Sequence, residues 1–199
     1  MNNEYNGGLT REQFLYPEMK ITASLVCQGL SKDEIYQRIY SENLFQFPTE
    51  RMLKSITGAC LRRIEALDSP VLTELLSESS SFVGKQINLY SMMKYNRIVW
   101  DFMTTVIGEK YRNKELIFSR QDVNLFFIRL QEQNDSVASW SDSTIQKIKQ
   151  VLVKSITECG YIDSVKSETL NPVMIAPELE DEIKNKNDFA ALAAFNCFR

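Results

Sequence analysis

Histidine is absent from this chain. Its absence removes the commonest general base, the usual catalytic triads and most zinc sites. Cysteine is scarce: Cys27, Cys60, Cys159 and Cys197 are the four, and none is paired at a C-x-x-C spacing. A zinc or redox motif is therefore unsupported, and the cysteines read as buried small apolar groups in a reducing compartment. No stretch approaches the roughly 18 apolar residues that a membrane span needs. The polar start, "MNNEYNGGLTREQFLYPEMK", has no apolar signal segment. No GxxxxGK[ST], GxGxxG or GxSxG occurs, and acid groups such as Asp122/Glu132 or Glu180/Asp181/Glu182 lack a partner nucleophile or base in a recognisable motif. These absences predict a soluble cytoplasmic protein that is not an enzyme. It would use no cofactor or metal, and would meet no membrane and no small-molecule substrate.

What is present is the balance of an ordinary globular protein, 44% hydrophobic and 25% charged over 199 residues. The net charge of −3 argues against an indiscriminate polycation. It leaves room for a local basic face, because binding depends on where the charge sits.

Along the chain the pattern is helical. Residues Met1 to Thr10 read as frayed. A helix over Glu18–Gln28 stops at Gly29, and "SKDE" at Ser31–Glu34 is a capping box that opens the next. Thr49 caps a third, running to Leu67. These three make a helix-turn-helix-like bundle over 1–68. Central helices fill 69–112: a short one over Val71–Glu78, then one long helix over Phe82–Glu109. In 113–179 the order is a helix over Arg120–Glu132 opened by Ser119, the stretch "WSDSTIQKIKQVLVKSITECGYI", then "YIDSV" and "LNPVMI" around "KSET". The last two segments predict a two-stranded hairpin, so the region reads as a winged helix-turn-helix. A charged segment and an apolar tail occupy 180–199. The fold class expected is mainly α, with one small β-hairpin.

Two helices carry candidate contact faces. In the Trp140–Ile162 stretch, Ser141 is a good N-cap, with Ser143 and Gln146 as an alternative start two residues on. Ile145, Ile148, Leu152, Ile156 and Cys159 share one face. Ser143, Lys147, Gln150 and Lys154 share the opposite one, which has no acid. Hydroxyl, amide and ammonium groups are those that meet phosphates and base edges. Thr144 stands at the helix entry and Lys166 in the expected wing. A wet back on an amphipathic core helix is the plain alternative. In the earlier helix, Leu53, Ile56, Cys60, Ile64 and Leu67 face inward, while Arg51, Lys54, Ser55, Gly58 and Arg62 face out with Arg63 at the flank. Gly58 inside a helix costs about 1 kcal/mol against Ala. Packing against a bulky neighbour is the favoured reason to keep it, over close approach to a phosphate. A third cluster, Lys94, Arg97, Lys110, Arg112 and Lys114 beside Tyr95 and Tyr111, is the pattern of a half-buried helix end, with single-stranded nucleic acid as the alternative.

The order of these motifs resembles the BrxA family of BREX phage-defence systems. The resemblance runs from about Leu9 to Leu179. "WSDSTIQKIKQ" leading to "GYI" is its most specific part, with "GLSKDEIYQRIYSENLFQFPTERMLKSITGACLRRIEALD" upstream and "LNPVMIAPELE" downstream. It implies an all-helical protein of NusB-like or helix-turn-helix character. That protein would be a non-enzymatic binder of double-stranded DNA acting beside other BREX components. The inner-membrane label once attached to some members disagrees with the hydropathy here. The resemblance carries no catalytic residue over. Two further readings stay open: an adaptor that joins BREX subunits, favoured by the apolar tail "FAALAAFNCF", and NusB-like RNA binding.

Overall fold

The computed structural model describes residues 4–198. The first helices are α1 (Tyr16–Cys27), α2 (Lys32–Glu42), α3 (Glu50–Leu67) and α4 (Pro70–Glu78). Their boundaries follow from local chemistry. The Ser31 hydroxyl accepts from the Glu34 N–H, and the Glu34 carboxylate accepts from the Ser31 N–H at 2.8 Å, the reciprocal capping box. Thr49 caps α3 through the Met52 N–H. Gly29 ends the first turn region at φ 78, where a side chain would strain. α1 lies along α4 and against α3, and α3 lies against α5 (Ser81–Tyr95).

The single long central helix does not form. Asn96 adopts an extended backbone, and its Oδ1 accepts from the Ile98 N–H at 3.0 Å. A residue that competes so well for backbone donors ends α5 and caps the next helix. That helix, α6 (Arg97–Asp101), runs through a π-helical turn at Phe102–Ile107 into α7 (Gly108–Arg112). The Thr104 and Thr105 hydroxyls donate back to the carbonyls of Trp100 (2.9 Å) and Asp101 (2.6 Å), which widens the turn.

Beyond it come α8 (Arg120–Gln133), α9 (Asp135–Ala138), α10 (Asp142–Glu158) and α11 (Pro177–Asn185). The predicted hairpin is absent among the described residues. Tyr161 and Ile162 are both buried, so the alternation a half-buried strand needs is broken. Pro172 has no N–H to offer a ladder. Residues 161–171 form a loop instead, closed by the Asn171 N–H on the Tyr161 carbonyl at 2.7 Å and turned at Ser164–Ser167. The returning limb pairs with the segment before α8: Leu170 donates to Leu116 at 2.7 Å and Phe118 to Glu168 at 3.0 Å. Ile117 and Thr169 form an isolated antiparallel bridge there. A strand-based wing is thus replaced by a tethered loop.

Both ends of the described chain pack on the core. Residues 7–10, expected to fray, form a 3-10 turn that packs on α10 with Leu9 buried. The Tyr5 hydroxyl donates to Asp101 at 2.7 Å and its ring stacks under Arg97. Met1, Asn2 and Asn3 lie outside the described residues. The apolar tail docks on its own core: Ala191, Leu192, Ala194 and Phe195 are buried. A Cβ on Gly108 would stand 3.0 Å from the Ala193 Cβ, so only glycine lets the tail approach. Asp188 anchors it, accepting from Tyr90 at 2.6 Å and from Lys94. Among the described residues, no helix is long and apolar enough to cross a membrane.

Candidate nucleic-acid interface

Helix α10 starts where its sequence says it should. The Ser141 hydroxyl accepts from the Thr144 N–H, and Trp140 packs half-buried before it. The Ser143–Gln146 alternative is not used. Ile145, Ile148, Val151, Leu152, Ser155 and Ile156 are buried. Ser143, Lys147, Gln150 and Lys154 are exposed, and neither lysine has an ion pair. The entry residues are less available. The Ser143 and Thr144 hydroxyls each lie 3.0 Å from the Ser141 hydroxyl, and Thr144 is half covered by the N-terminal turn near Gly7. Lys149 turns away from this face. Its ammonium donates to Asn124 at 2.8 Å over the Phe127 ring, and burial holds its pKa below the usual lysine value.

Two grooves flank this helix. One, about 500 Å³, lies between α8 and α10 and is bordered by Arg120, Gln146, Gln150, Val153 and Val165. A neighbouring one of about 640 Å³ carries Arg120, Val165 and Lys166, so the tethered loop and α8 share the α10 surface. Lys166 is exposed at the loop tip and has no partner. Arg120 escaped the sequence reading. Its signal was legible: a cation at the first position of a helix opposes the macrodipole, so it needs a reason outside the helix.

The α3 face divides. Arg51, Lys54 and Ser55 are exposed, and Arg51 and Lys54 carry no ion pair. Arg62 is spent internally, bound to Glu12 at 2.8 Å and to the Tyr95 hydroxyl at 2.8 Å. Arg63 is not at a flank but wholly buried, donating to the main-chain carbonyls of Glu12, Gln13 (2.8 Å) and Phe14 (3.3 Å). Burial pulls its pKa below the usual arginine value. Gly58 is buried too, because a Cβ there would stand 2.8 Å from the Tyr36 hydroxyl. Packing against a bulky neighbour is therefore what keeps it.

A cleft of about 540 Å³ joins the two helices. Met52 and Ile56 of α3 line it together with Lys154 of α10 and Arg11 of the entry loop. The exposed Arg51 and Lys54 border a different groove, between α2 and α3, with Tyr36 and Tyr40.

Most of the third cluster is spent on the fold, with Lys114 left exposed. Lys94 pairs with Asp188, and Lys110 lies buried between Glu115 (2.8 Å) and Asp122 (2.9 Å). Arg112 pairs with Glu109, and Tyr111 is buried with its hydroxyl on the Asn171 carbonyl. The cysteines divide similarly. Cys60 is buried, and burial pushes its thiol up to about 12, but Cys27 is exposed. No group of acids and cysteines is placed to hold a metal ion among the described residues.

Comparison with known proteins places the chain. The BrxA family model matches residues 3–187. A protein of Bacillus cereus (strain H3081.97) named "BREX protein BrxA" is 35% identical over 81% of this chain and 80% of its own length. Another of that name, from Escherichia coli O9:H4 (strain HS), is 25% identical over 87% and 81%. The crystal structure of an uncharacterized protein from Magnetospirillum magneticum superposes with a TM-score of 0.83 at 22% identity, covering 96% of this chain and 97% of that one. That likeness speaks for the fold. The docked tail beyond residue 187 lies outside the family match. The chain belongs to the BrxA family.

Proposed function

We propose that this protein is a non-enzymatic, double-stranded-DNA-binding component of a BREX phage-defence system. It contacts DNA mainly through phosphates. The observation that carries the reading is the exposed face of α10. Lys147, Gln150 and Lys154 stand there with neither lysine in an ion pair, and the acid next along the row, Glu158, is bound to Lys85 at 3.1 Å. Lys166 on the tethered loop and Arg120 on α8 extend the surface to one side, as a loop beside a recognition helix would. Arg11 extends it to the other, across the cleft that Lys154 enters, and Arg51 and Lys54 stand farther off, in a separate groove between α2 and α3. Arg62, bound to Glu12, has no part in it.

The adaptor reading loses most of its original support, since Ala191 to Phe195 of the apolar tail are buried in the chain's own core, although Phe189 and Phe198 stay partly exposed. What favours it now is the pair Leu125 and Ile128, about half exposed on the outer side of α8.

The test is duplex-DNA affinity by fluorescence anisotropy across a salt series, with duplex RNA and single strands alongside. The wild type is expected to show a log–log slope of about −0.9 per phosphate neutralised. No binding of any duplex at low salt would overturn the reading and leave the α8 pair as the surface to pursue.

A further inference from the structure

We infer that α10 reads A·T base pairs in the major groove through Gln146 and Gln150, with Val153 and Val165 against the thymine methyl. This rests on the DNA-binding reading above and goes beyond phosphate contact.

Gln146 and Gln150 lie one helical turn and a little more apart, about 6 Å along the axis, on one row of α10. That spacing spans roughly two base-pair steps of 3.4 Å. Both side chains are exposed, and neither amide has an intramolecular partner. The third amide of the groove, Asn124, is bound to Lys149 and is not free. An amide offers one donor and one acceptor, which matches adenine N6 and N7 in the major groove. Guanine presents two acceptors there and suits a cation better; of the groove's cations, Lys149 is held by Asn124 and Arg120 stands on α8, off the α10 row.

The apolar members of the groove fit the other half of the pair. Val153 is half-buried on α10 one turn beyond Gln150, and Val165 stands 53% exposed at the loop tip opposite. An exposed valine beside Lys166 gains nothing from water, whereas the thymine C5 methyl offers it an apolar surface. Lys147 and Lys154 on the adjacent row would hold the backbone while the amides meet the bases.

The experiment is selection from a random duplex library with the full chain, followed by anisotropy on the selected duplex with single-base analogues. An A·T-rich consensus is expected. Replacing its adenines by 7-deazaadenine should weaken binding about tenfold per amide engaged. Replacing its thymines by uracil should weaken it by a smaller factor. In the Gln146→Ala/Gln150→Ala protein the 7-deazaadenine penalty should vanish while the salt slope stays. Equal binding to every duplex with a steep salt slope would overturn base readout and leave phosphate binding intact. A guanine-centred consensus insensitive to the analogues would also overturn it. Failure to bind any duplex would overturn the reading beneath it as well.

Discussion

Helices α3 and α10 present the same pattern, apolar on one side and basic on the other, yet the fold treats them differently. In α10 the polar row stays in water, with Lys147 and Lys154 unpaired. In α3 the N-terminal half behaves likewise, but Arg62 and Arg63 are drawn into structure by the segment 12–14 laid across them. The difference lies in the partner. A segment with free carbonyls and one carboxylate packs on α3, while the Gly7–Thr10 turn that packs on α10 covers Thr144 rather than the lysines. A basic stripe is thus available for a ligand only where no other part of the chain has claimed it.

The comparison breaks most sharply at Arg63. Replacing it with methionine leaves the carbonyls of Glu12 and Gln13 without their donor, which costs about 3 kcal/mol. The urea midpoint should fall by the corresponding amount at an unchanged m value. A shift below about 1 kcal/mol would mean that segment 12–14 is held by other contacts, and the division drawn within α3 would lose its cause.

The counterpart in α10 is Lys147→Glu/Lys154→Glu. Its urea midpoint should hold within about 0.5 kcal/mol, because both side chains are exposed and unpaired. Its DNA affinity should fall about ten- to a hundredfold. The salt slope should become shallower by about 1.8, two phosphate contacts at 0.9 each. Arg51→Glu/Lys54→Glu should lower the slope by about 0.9 at most, since that row lies in a separate groove between α2 and α3. Equal slopes in wild type and both variants would place the DNA elsewhere.

A subtler probe is Gly58→Ala. Helix propensity favours the alanine by about 1 kcal/mol. Crowding against the Tyr36 hydroxyl opposes it, at a cost of about 1–3 kcal/mol. The net expectation is a loss of about 1 kcal/mol. In a Tyr36→Phe background the closest contact is gone and only the Arg62 Nη1, at 3.2 Å on a flexible side chain, still has to give, so Gly58→Ala should become stabilising, a coupling that a double-mutant cycle measures directly. No coupling would remove the packing explanation for this glycine.

Much of this was legible in the residues. Caps at Ser31, Thr49, Ser119 and Ser141 are local chemistry, carried by a side chain and a donor a few positions away, so they could be read one helix at a time. The inward and outward rows of α3 and α10 were legible for the same reason. What failed was non-local. "YIDSV" and "LNPVMI" have the composition of strands, but the returning limb prefers the Leu116–Phe118 segment, more than forty residues earlier. The break at Asn96 was hidden inside an apolar run whose period continued on both sides of it. The tail looked like a docking surface because its partner, the π-helical turn and Gly108, is an irregular feature that no periodicity announces. Arg63 is the hardest case. A buried cation answered by carbonyls rather than by an acid leaves no charge pattern to read.

Arg62 supplies the smallest effect and the finest test of the comparison. It is half exposed on the same row as Arg51, so sequence spacing makes it a ligand contact. The structure binds it to Glu12 and to the Tyr95 hydroxyl, with its guanidinium over the Tyr95 ring. Arg62→Ala should therefore cost less than about 1 kcal/mol in stability, the scale of an ion pair open to water. It should leave the DNA salt slope unchanged, because the Glu12 carboxylate already neutralises this charge locally. If the slope instead becomes shallower by about 0.9, Arg62 leaves Glu12 for a phosphate in the complex. An internal ion pair would then no longer mark a cation as claimed, and the line between the two halves of α3 would have to be drawn by burial alone, at Arg63.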